Sequence, residues 1–200
     1  MRSSLAAGGL SLFVLLAWQP FPAAAQQQPT PPTPPQIGTA HKVPKADPEL
    51  IANAMSAAPR AVARDATIVA IEANGQRRTL RQGKGEFTCI PDDPETPGND
   101  PMCMDKNGFE WALAWLTKQQ PPAGKVGLIY MLKGGSDASN DDPFAKRPAP
   151  GKKWVDTGPH MMIVGATQMM QGYPKNAQNP KAPYIMWPGT PYEHIMIPVR

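Results

Sequence analysis

The chain has 200 residues, 26 of them proline and only two of them cysteine, with 20 Lys and Arg against 16 Asp and Glu for a net charge of +4. The charges are scattered, with no basic run longer than Arg77-Arg78 or Lys152-Lys153, which argues against the clustered basic stripe of a nucleic-acid-binding face. So many prolines argue against long uninterrupted helices and point to a loop-rich fold of short elements.

The first 25 residues read as a signal peptide: Arg2 gives a short positive start, Leu10 to Trp18 form the apolar run, and Ala23-Ala24-Ala25 supplies the small residues of a cleavage site. The apolar run is too short to span a bilayer and is closed by Pro20 and Pro22, so no membrane anchor is expected in the mature form. The expected product is a periplasmic or secreted protein beginning at Gln26. Residues 26–40, polar and Pro-rich, read as an extended linker. Residues 41–200 are expected to form a single globular domain, long enough for a real core.

Within it, Asp47-Pro48-Glu49 is a helix start, with a capping carboxylate and proline in the first turn. Leu50, Ile51, Ala54, Met55 and Ala58 recur at helical spacing until Pro59, which should end or kink the helix. "ATIVAIE", the turn signal Asn74-Gly75 and "QRRTLRQG" read as a β-hairpin, and "EFTCI" as a third antiparallel strand. In an oxidising compartment Cys89 and Cys103 read as one disulfide. The enclosed "IPDDPETPGNDPM" holds four prolines and a glycine, so it cannot form a helix or a long strand. A clip closing a loop of about 15 residues contributes roughly 3 kcal/mol in the chain-entropy model.

Asp105 can cap a second helix, with Phe109, Ala112, Leu113 and Leu116 on one face and Trp111 and Trp115 widening it. The two tryptophans read either as an aromatic binding platform or, more commonly, as packed core. "KVGLIYMLKGG" is the most apolar run and reads as a central strand. "SDASNDDP" is a polar loop, and "HMMIVG", "YIMW" and "EHIMIPV" are strands, the last entered through the turn "PGTP". The predicted class is α+β: a mainly antiparallel sheet with two or three short helices, rich in loops.

The segments "PDDPETPGNDPMC", "YMLKGGSDASNDDPFA", "WVDTGPHMMIV" and "YIMWPGTPYEHIMIPV" resemble a family of small exported bacterial proteins with no assigned activity, over about Ala54 to Val199. The resemblance implies export and one domain, and it carries over no catalytic residue. Where the family pattern often has Trp before the Thr-Cys pair, this chain has Phe87, a change that bears on packing.

Three constellations have chemical content. Asp137, Ser139 and Asp141, with Ser136 beside them, fall at the first, third and fifth places of a calcium-loop pattern. Asp142 stands where that pattern needs Gly, and Pro148 where it needs Glu. A looser hard-cation site competes with a plain turn network, which is the favoured reading. Ser136, following Gly134-Gly135, is a candidate nucleophile for a small hydrolase, with His160 or His194 as base and Asp137 or Asp156 as orienter, although no G-x-S-x-G motif is present. His160-x-Met162 and His194-x-Met196, joined by Met186, offer imidazoles and thioethers that suit copper if their strands are neighbours. The alternative for the same residues is a pair of core strands.

The leading expectation is an exported, non-catalytic binding or structural module, its partner an unidentified small molecule or protein and its cofactor unassigned. The alternatives are a Ser/His-dependent hydrolase and a copper-binding protein. The discriminating geometry is whether Ser136 or Ser139 reaches a histidine.

Overall fold

Proline and glycine divide this chain into pieces too short to be stable alone, and one sheet collects most of them. The computed structural model describes residues 47–72 and 75–199. The expected signal peptide (residues 1–25), the linker (residues 26–40) and Asn74 of the hairpin turn lie outside the described residues.

Two short helices, α1 (Asp47–Met55) and α2 (Arg60–Ala63), are separated by a turn over Ser56, Ala57 and Ala58, and Pro59 stands immediately before the second. The Arg78 guanidinium holds the Asp47 carboxylate at the start of α1 through Nη1 and Nη2 at 2.9 and 3.0 Å. The strands β1 (Thr67–Ile71) and β2 (Arg77–Arg81) form the expected antiparallel hairpin. They are followed by β3 (Thr88–Ile90), β4 (Met102–Met104), helix α3 (Lys106–Leu116) and β5 (Gly127–Met131). The later strands are β6 (Gly135–Asp137), β7 (Val155–Thr157), β8 (His160–Val164), β9 (Tyr184–Met186) and β10 (His194–Pro198), with a 3-10 helix at Thr167–Met170.

Eight strands form one sheet in the order β2-β1-β3-β4-β5-β8-β10-β9, and β6 and β7 form a separate antiparallel pair. Every pairing is antiparallel except β1 with β3. The architecture is therefore α+β and mainly antiparallel, as the sequence indicates. The strand "EFTCI" corrects one expectation, since β3 runs parallel to β1. The link from β2 crosses the start of β1 rather than turning back on β2. There Lys84 and Gly85 donate their backbone N–H groups to the Asp65 carbonyl at 2.9 and 2.7 Å. The crossing is so close that a Cβ on Gly83 would lie 2.3 Å from the Ala66 backbone, so only glycine passes.

Alternation along the strands sorts the core by face. One face carries Met104, Ile129, Met162, Met196, Tyr184 and Met186 beneath the aromatic rings of α3. The other carries Ile68, Cys89 and Cys103 beneath the alanines of α1 and α2, and, further along, Ile185 and Ile195 beneath Met170. Cys89 and Cys103 sit opposite each other on β3 and β4 and form the disulfide. The covalent clip therefore fixes the rung at which the proline-rich loop leaves and re-enters the sheet. Asp105 caps α3 by accepting the Gly108 N–H at 2.7 Å, as its position predicts. The buried side of α3 is Gly108, Trp111, Ala112 and Ala114, while Phe109, Leu113 and Leu116 are only half-buried. Among the described residues no helix is long and apolar enough to cross a membrane.

Candidate functional site

The strands β8 and β10 are neighbours, and their register answers the question raised by the two His-x-Met pairs. Met162 lies directly opposite Met196, whereas His160 pairs with Pro198 and His194 with Val164. All six side chains share one face, but the two histidines stand at opposite ends of the ladder, roughly 13 Å apart along the strands at the usual rise per residue. Met186 lies beside His194, at the rung next to it on β9. Both histidines are buried. Each is fixed in the same way: the Nδ1–H of His160 donates to the Gly158 carbonyl at 2.8 Å, and that of His194 to the Tyr192 carbonyl at 2.9 Å. Because a carbonyl only accepts, each Nδ1 carries the proton and each Nε2 presents a lone pair. Burial pushes both imidazoles down to about 4, so both are neutral at physiological pH.

The two ends differ in what surrounds the ring. His194 is wedged edge-on against Trp111 and Trp187, with ring centroids 5.2 and 5.0 Å away. Trp111 and Trp187 lie nearly parallel at 6.3 Å, Trp115 stacks beside them, and Tyr192 meets Trp111 edge-on. Trp111 is thus packed core, as the favoured sequence reading has it, and Trp115 is half-buried against it. Trp187 sits at φ 53°, a left-handed backbone that costs a bulky residue about 1–3 kcal/mol. The loop after β6 holds it there: the indole Nε1–H donates to the Ser139 carbonyl at 3.0 Å, and the backbone N–H to the Asn140 carbonyl at 2.7 Å.

At the other end, the His160 ring lies under the small sheet. A Cβ on Gly135 would stand 3.1 Å from His160 Cε1, 3.8 Å from its Nε2 and 3.2 Å from the Met131 methyl, so β6 rests on this imidazole only because it offers no side chain there. The Nε2 of His160 is buried and has no hydrogen-bond partner among the described residues. Thr157 of β7 and Tyr184 of β9 share a hydrogen bond of 2.5 Å across the same interlayer. Alternation along β6 puts Asp137 on the same side as Gly135, facing the main sheet. Asp137 is half-buried, and its carboxyl has no hydrogen-bond or ion-pair partner among the described residues. Desolvation pushes it up to about 7, with the Asp100 carboxyl adding to the shift.

Asp100 belongs to the disulfide-closed loop, which docks against the outer side of β6. A Cβ on Gly98 would lie 2.5 Å from Ser136 Oγ. Asp100 accepts from the Thr96 hydroxyl at 2.6 Å, and its backbone N–H donates to Asp92 Oδ1 at 2.9 Å. Burial raises Asp100 to about 6, and the hydrogen-bonded Asp92 carboxyl contributes. The clip therefore brings a second acidic segment to Asp137. Sequence reasoning identified the loop as a staple and missed Asp100 as a neighbour of Asp137. The available signal was the pairing of acidic residues with a turn that prolines make rigid.

The remaining candidates have plain roles. Ser139 Oγ accepts the backbone N–H groups of Asp141 and Asp142 at 3.0 Å each, and Asp142 Oδ1 accepts that of Phe144 at 2.9 Å, which is the turn network favoured from the sequence. Asp141 is exposed. Neither Ser136 nor Ser139 hydrogen-bonds a histidine among the described residues. Among those residues no group of three or more His, Cys, Asp or Glu is placed to hold a metal ion. No family model, curated protein or solved structure matches the chain.

Proposed function

We propose that this protein is an exported, disulfide-stapled binding module whose ligand is read at the interlayer between β6 and the main sheet. The reading rests on one observation: two acceptors without partners among the described residues, the Asp137 carboxyl and the bare Nε2 of His160, belong to the same interlayer. For the buried His160 Nε2 the missing partner costs about 1–3 kcal/mol, and such costs concentrate at functional sites. Two acceptors call for a ligand rich in donors, an alkylammonium group above all, since the Asp137 carboxylate also supplies charge. The loop from Gly134 to Pro143 forms the rim, held on the Trp115 and Trp187 indoles, the former donating to the Pro143 carbonyl at 2.9 Å.

The test is an NMR titration with spermidine as the ammonium probe. The reading expects the His160 ring resonances to move, and to stay still in Asp137→Asn. Still resonances in the wild type would remove the ammonium reading. Mass spectrometry of the exported protein should find Gln26 at the N-terminus, and a retained leader would contradict export.

A soft-metal reading has one specific support: His160, with its bare Nε2, and Met131 are paired across β8 and β5, and both side chains reach beneath Gly135. It replaces the quartet expected from sequence with His160 and Met131, because His194 stands at the far end of the ladder. Anaerobic Cu(I) titration of wild type, His160→Ala and His194→Ala decides it: binding lost only in His160→Ala supports the site, and equal binding by all three removes it. The hydrolase alternative gains nothing from the serines, one of which holds a turn while the other faces Gly98.

A further inference from the structure

A second surface stands apart from these acceptors. Between Pro143 and Val155 the chain carries four cations, Lys146, Arg147, Lys152 and Lys153, and no acidic residue. Without those four, the basic and acidic residues of the whole chain balance at 16 each. The net positive charge of the full chain thus equals the charge of this one loop, and without Arg2 of the expected leader the rest of the protein carries one net negative charge. All four side chains are exposed, and none has an ion-pair or side-chain hydrogen-bond partner among the described residues.

The loop is built to hold its shape. Lys152 donates its backbone N–H to the Ala149 carbonyl at 2.9 Å across Pro150 and Gly151, with Gly151 at φ 78°. Proline followed by a left-handed glycine is the pattern of a type II turn. The turn folds Arg147 back toward Lys152 and Lys153, and the three line one open concavity of about 540 Å³ with Trp154 at its base. The tip, Pro148-Ala149-Pro150, is apolar, and Phe144 (37% exposed) flanks the loop near its start.

These features choose among anionic partners. A compact site for a free phosphate is built from converging backbone N–H groups, and two prolines remove those donors from the tip. An apolar tip flanked by lysine and arginine, with Trp154 beside them, matches the layering of a membrane interface instead: cations at the phosphates, an aromatic ring at headgroup level. We propose that the loop from Lys146 to Trp154 docks the protein peripherally on an anionic phospholipid surface.

Vesicle co-sedimentation at low salt tests this on the mature protein. Vesicles of phosphatidylglycerol and phosphatidylcholine should bind it, and pure phosphatidylcholine should not. The triple variant Arg147→Glu, Lys152→Glu, Lys153→Glu should bind about 100-fold more weakly. A charge-matched control, Lys84→Glu, Lys133→Glu, Lys181→Glu, changes exposed lysines outside the loop and should lose much less. Equal loss in the two triple variants would overturn the proposal, because global charge would then explain the binding. Wild-type binding to neither vesicle would overturn it as well. So would displacement by inorganic phosphate at constant ionic strength, which would mark a compact phosphate site. Tryptophan fluorescence of the wild type should shift to the blue on binding and that of Trp154→Phe should not, and an equal shift in the two proteins would contradict insertion at headgroup level.

Discussion

The two ends of the β8–β10 ladder begin from the same local chemistry and finish differently. Each presents a buried, neutral histidine whose Nδ1–H is tied to the carbonyl two residues earlier. At the His194 end, aromatic rings from α3 and from the turn after β9 enclose the imidazole. At the His160 end the cover is a strand of glycine, serine and aspartate, and the imidazole Nε2 is left without a partner, whereas at the aromatic end the buried atom left without one is the Trp111 Nε1–H, a donor within the ring cluster. Histidine burial alone therefore says little about function, and the covering layer decides. An aromatic cover turns the residue into packing. A thin polar cover leaves a lone pair facing a carboxyl-bearing strand.

The comparison can be broken most sharply at the aromatic end. Trp111→Ala removes a ring that contacts Trp115, Trp187, Tyr192 and His194, and it should lower the unfolding free energy by about 3–5 kcal/mol in a urea titration. A loss under 1 kcal/mol would mean that the rings are not a packed unit. Next in size, Cys89→Ser should cost about 2–4 kcal/mol by releasing the loop that carries Asp92 and Asp100. If the clip places Asp100 beside Asp137, the raised Asp137 titration should also fall toward the ordinary carboxylate range, which carbon NMR of the carboxyl would read.

A smaller contrast separates the histidines. His194→Gln should cost about 2 kcal/mol at pH 7.5, and His160→Gln should cost less, because a thin cover accommodates the change more readily. Equal costs would dissolve the distinction between the ends. Both imidazoles are depressed from 6.5 to about 4, so their contribution to stability is complete above pH 6.5 and is lost as pH falls through 4. Each substitution should flatten that acid limb. Smallest of all, Ser139→Ala should cost about 1 kcal/mol by freeing the N–H groups of Asp141 and Asp142, with no effect on the His160 resonances.

Much of this was legible in advance where the signal is local. The Asp105 cap, the break at Pro59, the β1–β2 hairpin, the central place of β5 and the disulfide each follow from residues within one turn or one loop. The parallel pairing of β3 with β1 was not legible, since it depends on Gly83 slipping past Asp65 and Ala66, a contact between segments that sequence patterning does not connect. The strands β4, β6 and β7 escaped notice because each is three residues long and lies among the proline, glycine and aspartate of a segment that reads as loop, whereas β3 and β9, equally short, carry their own apolar residues. The candidate site was half legible. Asp137 and His160 were identified from their own segments, but their shared interlayer comes from β6 folding onto β8. The approach of Asp100 comes from the clip.

The central claim is that Asp137 is held unpaired for a ligand rather than for the fold. Its carboxyl is raised from 3.8 to about 7 in the folded protein and that of Asp100 to about 6, so the stability they contribute is complete below pH 3.8 and is lost progressively as pH rises from there through 6 to 7. The direct measurement is the unfolding free energy of wild type and Asp137→Asn at pH 5 and at pH 8. A neutral amide in place of the carboxylate should raise stability by about 1–3 kcal/mol more at pH 8 than at pH 5. A variant less stable than wild type at pH 8 would show that the carboxylate supports the fold, and would contradict the account.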